Sequence, residues 1–258
     1  MNLLKRTYGG AIILLVIFAI TYLGHLSLSI GFTIFSLIAI REITEAFANI
    51  NIKLPKTLLY ICDLAIMGAA YWQDKDAFIL AIIFSVIALL IYMISKEDVS
   101  FYTISIGIFI LMYIPTLMGT IIRIRDINYI WPLYITAWGS DTFAYLVGST
   151  IGRSKIKSIA HISPKKTIEG CIGGIIGALV LNLIYHKYNL VGINTSYVII
   201  FSVFGAILSQ IGDLVASFIK RKTGIKDFGN IIPGHGGIVD RFDSMIFIAP
   251  ILYLFSIM

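Results

Sequence analysis

"AFILAIIFSVIALLIYMIS", Ala77 to Ser95, holds no charged residue, and its only polar side chains are two serines and a tyrosine. A helix crosses the hydrocarbon core of a bilayer in roughly 20 apolar residues. Within lipid a helix also satisfies its own backbone donors and acceptors, which an open strand does not. The run therefore reads as a membrane-spanning helix. The same test, carried outward along the chain, finds nine such stretches: 8–23, 26–48, 56–72, 77–95, 101–122, 129–150, 168–187, 195–220 and 241–257. The expected fold is an all-α integral membrane protein, a polytopic bundle of about nine transmembrane helices.

Composition points the same way. Of 258 residues, 58% are hydrophobic and 13% charged, and mean hydropathy is +0.92; soluble domains carry about 25% charged residues. The runs leave no room for a separate soluble domain. Cys62 and Cys171 both lie inside apolar runs with no CxxC, which argues against a disulfide framework or a zinc site. Lys5 and Arg6 before the first run resemble the start of a signal peptide, but no A-x-A-like cleavage site follows, so the run reads as a retained first span.

The net charge of +6 invites a nucleic-acid partner. Its distribution argues against one. With the N-terminus in the cytoplasm, sixteen of the 20 Lys and Arg residues fall on the cytoplasmic side, leaving Lys75, Arg123, Arg125 and Lys187 outside. Such a bias is the positive-inside pattern of a membrane protein. The chain is expected in the inner or plasma membrane among membrane lipids, with no nucleic-acid partner. It reads as one polytopic membrane domain, residues 1–258. Residues 1–125 hold the N-terminal spans, suited to packing, lipid contact or a dimer contact, and residues 126–258 hold the catalytic spans and cytoplasmic loops. The apolar and small-residue spans make a homodimer an expectation.

The two longest connections both fall on the cytoplasmic side: "GRSKIKSIAHISPKKTIEG", Gly152 to Gly170, and "IKDFGNIIPGHGGIVDRFDS", Ile225 to Ser244. Long loops on one face of a bundle commonly carry function. "GCIGGIIGA", Gly170 to Ala178, reads as a close-packing helix face. No internal repeat of the kind that builds inverted-repeat transporters is visible.

Carboxylates within spans are costly and mark candidate sites. Asp141 and Asp213 stand among polar neighbours, Ser140 and Thr142 for one and Ser209 and Gln210 for the other, like the walls of a wet cavity. Asp63 has no such neighbours and reads as a structural polar contact or an interface position. Asp240 and Asp243 are three apart at the start of the last span, so they share a helix face. The pair reads either as first-turn acids favoured by the helix dipole or as oxygen ligands for a hard divalent cation. An antiparallel hairpin of the last two spans would bring Asp213 near them. "PGHGG", Pro233 to Gly237, cannot be a helix interior. It is a plain turn or one whose amides cradle an anion, and His235 is a phosphate contact or a turn residue. Lys220, Arg221 and Lys222 are a membrane-surface anchor or phosphate contacts. Lys165 and Lys166 precede a helix start where Ser163 or Thr167 can cap, an arrangement suited to phosphate. No Walker P-loop, GxSxG or HExxH occurs. The chemistry implied is carboxylate and metal together with basic phosphate contacts.

Ser217, Lys220-Arg221, Lys226-Asp227, Gly229, Pro233, His235-Gly236-Gly237 and Asp240-Arg241-x-Asp243 resemble, without a gap, the signature of the phosphatidate cytidylyltransferase (CDP-diacylglycerol synthase) family. "SDTFAYLVGSTIGRSK", Ser140 to Lys155, and "HISPKKTIEG", His161 to Gly170, are similar to that family as well, although Ser149 stands where many members carry a basic residue. The resemblance implies that CTP and phosphatidate give CDP-diacylglycerol and pyrophosphate, with the active site on the cytoplasmic side. It implies Mg²⁺ and a second, monovalent cation such as K⁺. Asp213, Asp240 and Asp243 map to the metal-binding carboxylates, and Asp141 is placed to hold the second cation or line the cavity. Lys165, Lys166, Ser217, Lys220 and Arg221 are the expected phosphate and nucleotide contacts, with Gly234, His235, Gly236 and Gly237 as the turn. Lys226 and Arg241 join the three carboxylates as catalytic candidates. A CDP-alcohol phosphotransferase would need a different, Asp-Gly-led signature, which is absent. An ion-coupled transporter using Asp63, Asp141 and Asp213 is the alternative function, but it gives no reason for the basic, glycine-rich loops.

Overall fold

The computed structural model describes residues 3–97, 99–189, 193–232, 234 and 236–257, with residues 3–9 by backbone alone. Among the described residues the chain is helical, and its only pairings of extended backbone are isolated bridges. It forms two compact units: Met1–Arg125 with Lys222–Arg241, and Asp126–Arg221 with Phe242–Met258. The sequence grouped residues 222–241 with the C-terminal part. Here they pack with the N-terminal spans, held by a carboxylate described below.

The first unit contains α1 (Leu3–Tyr22), α2 (His25–Ala48), α3 (Lys56–Tyr71), α4 (Lys75–Ile94), α5 (Phe101–Leu111) and α6 (Leu117–Ile122). α1 and α2 are separated by a tight turn in which Gly24 takes φ +101°, a conformation glycine adopts without strain. Asp74 caps α4 by accepting from the Asp76 and Ala77 amides at 2.8 and 3.3 Å, and Ser100 caps α5 by accepting from the Thr103 amide at 3.1 Å. Between α5 and α6 the helix widens into a π turn, Met112–Thr116. Pro115 has no N–H for the Leu111 carbonyl four residues earlier, and the Thr116 hydroxyl donates to it instead at 2.9 Å. The expected span 101–122 is therefore one helix with a mended interruption. Phe32, Ile40, Leu59, Ile66, Leu89 and Ile110 are fully buried in this unit. At its far end Arg123, expected as an outside charge, is buried; its Nη1 donates to the Asp74 carbonyl at 2.8 Å and its guanidinium lies over Phe78.

The second unit contains α7 (Trp131–Thr150), α8 (Ile168–Asn189), the greater part of α9 (Thr195–Lys222) and all but the first turn of α10 (Val239–Ser256). α7 and α8 run antiparallel at close range. A Cβ on Gly170 would come 2.9 Å from the Ala144 carbonyl, on Gly173 2.6 Å from Val147 and on Gly174 2.8 Å from the Ser140 carbonyl. The small-residue face is thus the α7 contact. α9 and α10 also form the antiparallel pair expected: Gly212 packs on the Asp243 carbonyl, Gly205 near Ile248, and Phe201 stacks on Phe255.

All nine stretches read from the sequence return as helices among the described residues, with edges shifted by a few positions. Five of them, His25–Ala48, Lys75–Ile94, Phe101–Ile122, Ile168–Asn189 and Thr195–Lys222, are long and apolar enough to cross a membrane. α3 has 16 residues, α7 carries Thr136, Ser140, Asp141 and Thr142, and α10 opens on two acids and an arginine. The outer surface of α4 is apolar. Ile79, Leu80, Ile83, Phe84, Ile87 and Ile91 are exposed, while Ser85 is buried. That inside-out pattern is costly in water and natural in hydrocarbon.

Candidate functional site

In the second unit a cavity of about 430 Å³ opens beside α7, α8 and α9. α7 contributes Asp141, Tyr145 and Ser149, the segment leading into α8 contributes Lys165, Lys166 and Thr167, and α9 contributes Gln210 and Asp213. The close approach of α7 to α8 puts these groups together, since the α8 glycines admit the α7 backbone and its Val147 and Phe143 side chains.

The lysines are held by the loop before them. The Glu169 carboxylate reaches back to accept from the Arg153 and Ser154 amides at 3.2 and 3.1 Å. The Ile168 amide donates to the Ser154 carbonyl at 2.9 Å. Thr167, rather than Ser163, caps α8, with its hydroxyl accepting from the Gly170 amide at 3.1 Å. Lys166 then turns its Nζ to within 2.7 Å of Asp213 Oδ2 and 3.2 Å of the Gln210 carbonyl. Gln210 is itself anchored, donating to the Cys171 carbonyl at 3.0 Å. The Lys166 and Asp213 side chains remain 22% and 35% exposed, so their pairing is open to exchange with an incoming ion.

Asp243 lies at 7% exposure on α10, one Oδ accepting from the Ser244 amide at 2.7 Å. The charges that bear on it are those of Asp213 and Asp141 and, with opposite sign, Lys220. Asp243 thus stands in the field of two other carboxylates of this unit and of one ammonium group. Ser217 is half-buried one turn after Asp213, and Arg221 is exposed with its Nε 3.4 Å from the Ile162 carbonyl.

In the first unit, the loop from Lys222 to Arg241 folds around two carboxylates. Asp240 Oδ2 accepts from the Phe228 amide at 2.8 Å and the Gly237 amide at 2.9 Å. Glu42 of α2, 2% exposed, accepts from the Ile238 amide at Oε1 and the Val239 amide at Oε2, both at 2.9 Å. Gly234 and Gly236 have φ +79° and +85°, and Ile232 bridges Gly236, so a tight turn does form here. Lys226 and Arg241 are exposed. Pro233 and His235 lie outside the described residues.

The structure therefore brings Asp141, Lys165, Lys166 and Asp213 to one cavity and sets Asp243 under their influence. It holds Asp240 and the glycine turn in the other unit. Asp63 is a structural contact, accepting from the Ser36 hydroxyl inside the first unit. The sequence reading passed over Glu42 and named Gln210 only as a polar neighbour of Asp213. Glu42 stands as an acid inside the stretch 26–48, a signal of the kind that marked Asp141 and Asp213; beside it Arg41 and Glu45 form an exposed i,i+4 pair at 2.9 Å.

The family model described as the Cytidylyltransferase family matches residues 4–258. The chain belongs to the cytidylyltransferase family. It is 38% identical over 177 residues, 66% of this chain and 65% of the relative, to a phosphatidate cytidylyltransferase of Bacillus subtilis (strain 168). It is 32% identical over 257 residues to the protein of the same name from Staphylococcus haemolyticus (strain JCSC1435), and 98% of each chain is covered. With the one from Staphylococcus aureus (strain COL) identity is 34% over 267 residues, again across 98% of each. The signature residues of this cytidylyltransferase lie in both of its units.

Proposed function

We propose that this chain is a phosphatidate cytidylyltransferase, joining CTP and phosphatidate to give CDP-diacylglycerol and pyrophosphate. The observation that carries the reading within the fold is the Lys166–Asp213 pair in a cavity that also holds Lys165 and Asp141. It offers cationic groups to polyphosphate and carboxylates to a cation in one place.

In the reaction a phosphate oxygen of phosphatidate attacks the α-phosphorus of CTP, a new P–O bond forms, and the bond to the β-phosphate breaks with its electron pair leaving on pyrophosphate. The nucleophile is already anionic, so the protein needs no strong base. Its tasks are to align two polyanions and to offset charge during in-line displacement. Lys166 and Lys165 serve as phosphate clamps. Asp213 holds the Lys166 ammonium until nucleotide arrives. Lys220, Arg221 and Ser217 supply further contacts along α9, and Lys226, Arg241 and the Gly234–Gly237 turn serve from the loop.

A divalent cation fits the donors: Asp213, the buried Asp243 and Asp141 are hard oxygen ligands of one unit. Among the described residues no three His, Cys, Asp or Glu side chains already converge as a metal site, so substrate oxygens would complete the shell. Asp213 and Asp243 would hold Mg²⁺, with Asp141 toward a second, monovalent ion; Asp240, which the family resemblance also makes a metal ligand, stands in the other unit. Bound there, Mg²⁺ supplies charge stabilisation to the phosphate oxygens. We place the nine helices in the cell membrane with the N-terminus and both long loops cytoplasmic, and we expect a homodimer.

The test is release of pyrophosphate from CTP by purified protein, with and without phosphatidate and across a Mg²⁺ titration. Release that requires both phosphatidate and Mg²⁺, and falls at least about tenfold in Asp213→Asn, is the expected result. Wild-type turnover in Asp213→Asn, or release independent of phosphatidate, refutes it.

A further inference from the structure

Glu42 sits deep in the N-terminal spans, yet both its carboxylate oxygens are used by residues about two hundred positions later in the chain. Each accepts one backbone amide, from Ile238 and Val239, at 2.9 Å. These amides open α10 (Val239–Ser256), where a helix has donors without intrahelical partners. The acceptors for these two amides come from α2.

The loop is shaped to admit that carboxylate. A Cβ on Gly237 would collide with both Glu42 oxygens, and one on Gly229 would lie 2.7 Å from Oε1. Gly237 and Gly229 are thus glycines that make room for Glu42. Gly237 also donates its amide to Asp240 Oδ2, and a Cβ on Gly236 would lie 2.6 Å from that oxygen. Two carboxylates thus grip adjacent amides of one turn: Asp240 takes 237, and Glu42 takes 238 and 239.

We propose that Glu42 is a positioning residue for the cytidylyl transfer: it fixes the first turn of α10 and so the orientation of Asp240. A carboxylate suits the task because both its oxygens are acceptors, whereas an amide offers one acceptor and a donor that repels the second N–H. The inference rests on the reading of Asp240 as part of the catalytic machinery.

The experiment compares the full-length wild type with Glu42→Gln, Gly237→Ala, the double variant, Asp240→Asn and, as control, Glu45→Gln, all as purified protein in detergent. kcat and KM are measured for CTP and for phosphatidate, at several Mg²⁺ concentrations, per folded protein. Glu42→Gln is expected to lower kcat/KM for CTP at least about tenfold, the effect of losing one charged hydrogen bond, and to raise the Mg²⁺ requirement. KM for phosphatidate should stay within about twofold. Gly237→Ala should do the same, and the double variant should be no worse than either single, because all three break one contact. Glu45→Gln should match the wild type. A Glu42→Gln enzyme with unchanged CTP and Mg²⁺ dependence, or losses that add in the double variant, overturns the proposal. If Glu42→Gln does not accumulate, Gly237→Ala decides the matter on the same kinetic criterion. Full activity in Asp240→Asn would instead overturn the catalytic reading on which the proposal stands.

Discussion

Lys166 carries the sharpest consequence at the scale of a single residue. Its ammonium is shared between the Asp213 carboxylate and the Gln210 carbonyl, and both partners stay partly open. A pair this exposed adds little to stability, so its placement in the cavity is better explained by ligand exchange than by folding. Lys166→Met should leave the thermal midpoint in detergent nearly unchanged while raising KM for CTP by about 10- to 100-fold, the range for one charge-assisted hydrogen bond. Equal KM values in variant and wild type would remove Lys166 from the phosphate contacts. Lys165 and Lys166 were readable because basic residues before a capped helix start form a recognisable pattern. Gln210 was not. Its role depends on the Cys171 carbonyl, which comes within reach only once α8 and α9 have packed. Glu42 was hidden for the same reason, its amide partners lying far along the chain.

Between helices, the α7–α8 contact decides whether the cavity has its shape. Gly174 faces the Ser140 carbonyl, and a Cβ there would also come 3.0 Å from Gln210 Nε2. Gly174→Ala must therefore push two helices apart or displace the Gln210 side chain. Overpacking of this kind costs about 1–3 kcal/mol. We expect a lowered thermal midpoint together with reduced activity, whereas Gly68→Ala, where a Cβ meets nothing within 4 Å, should be neutral or slightly stabilising by helix propensity. A Gly174→Ala protein as stable as the wild type would show that the close approach is dispensable. Helix existence and order were legible throughout, because apolar run length is a strong local signal. The widened turn at Met112–Thr116 was not: Pro115 warns of an interruption, but its repair by the Thr116 hydroxyl depends on a side-chain rotamer that hydropathy does not record.

For the whole molecule the open physical question is which way the chain threads the membrane. The bias of basic residues argues for an N-terminus in the cytoplasm, and the fate of Arg123 strengthens it. That arginine is one of only four basic residues expected outside, and it is spent inside the first unit on the Asp74 carbonyl and the Phe78 ring rather than standing as a free surface charge. Lys157, in the loop before α8, and Asn194, after it, are both exposed. They are separated by one apolar helix of 22 residues, about 33 Å at 1.5 Å per residue, enough for one crossing. In a chain with Cys62 and Cys171 replaced, Lys157→Cys should react with a membrane-impermeant maleimide only in inside-out vesicles, and Asn194→Cys only in intact cells. Reversed labelling would place the basic loops and the cavity outside, away from cytoplasmic CTP. Labelling of both from one side would mean that α8 does not cross, and the nine-span arrangement would fall with it.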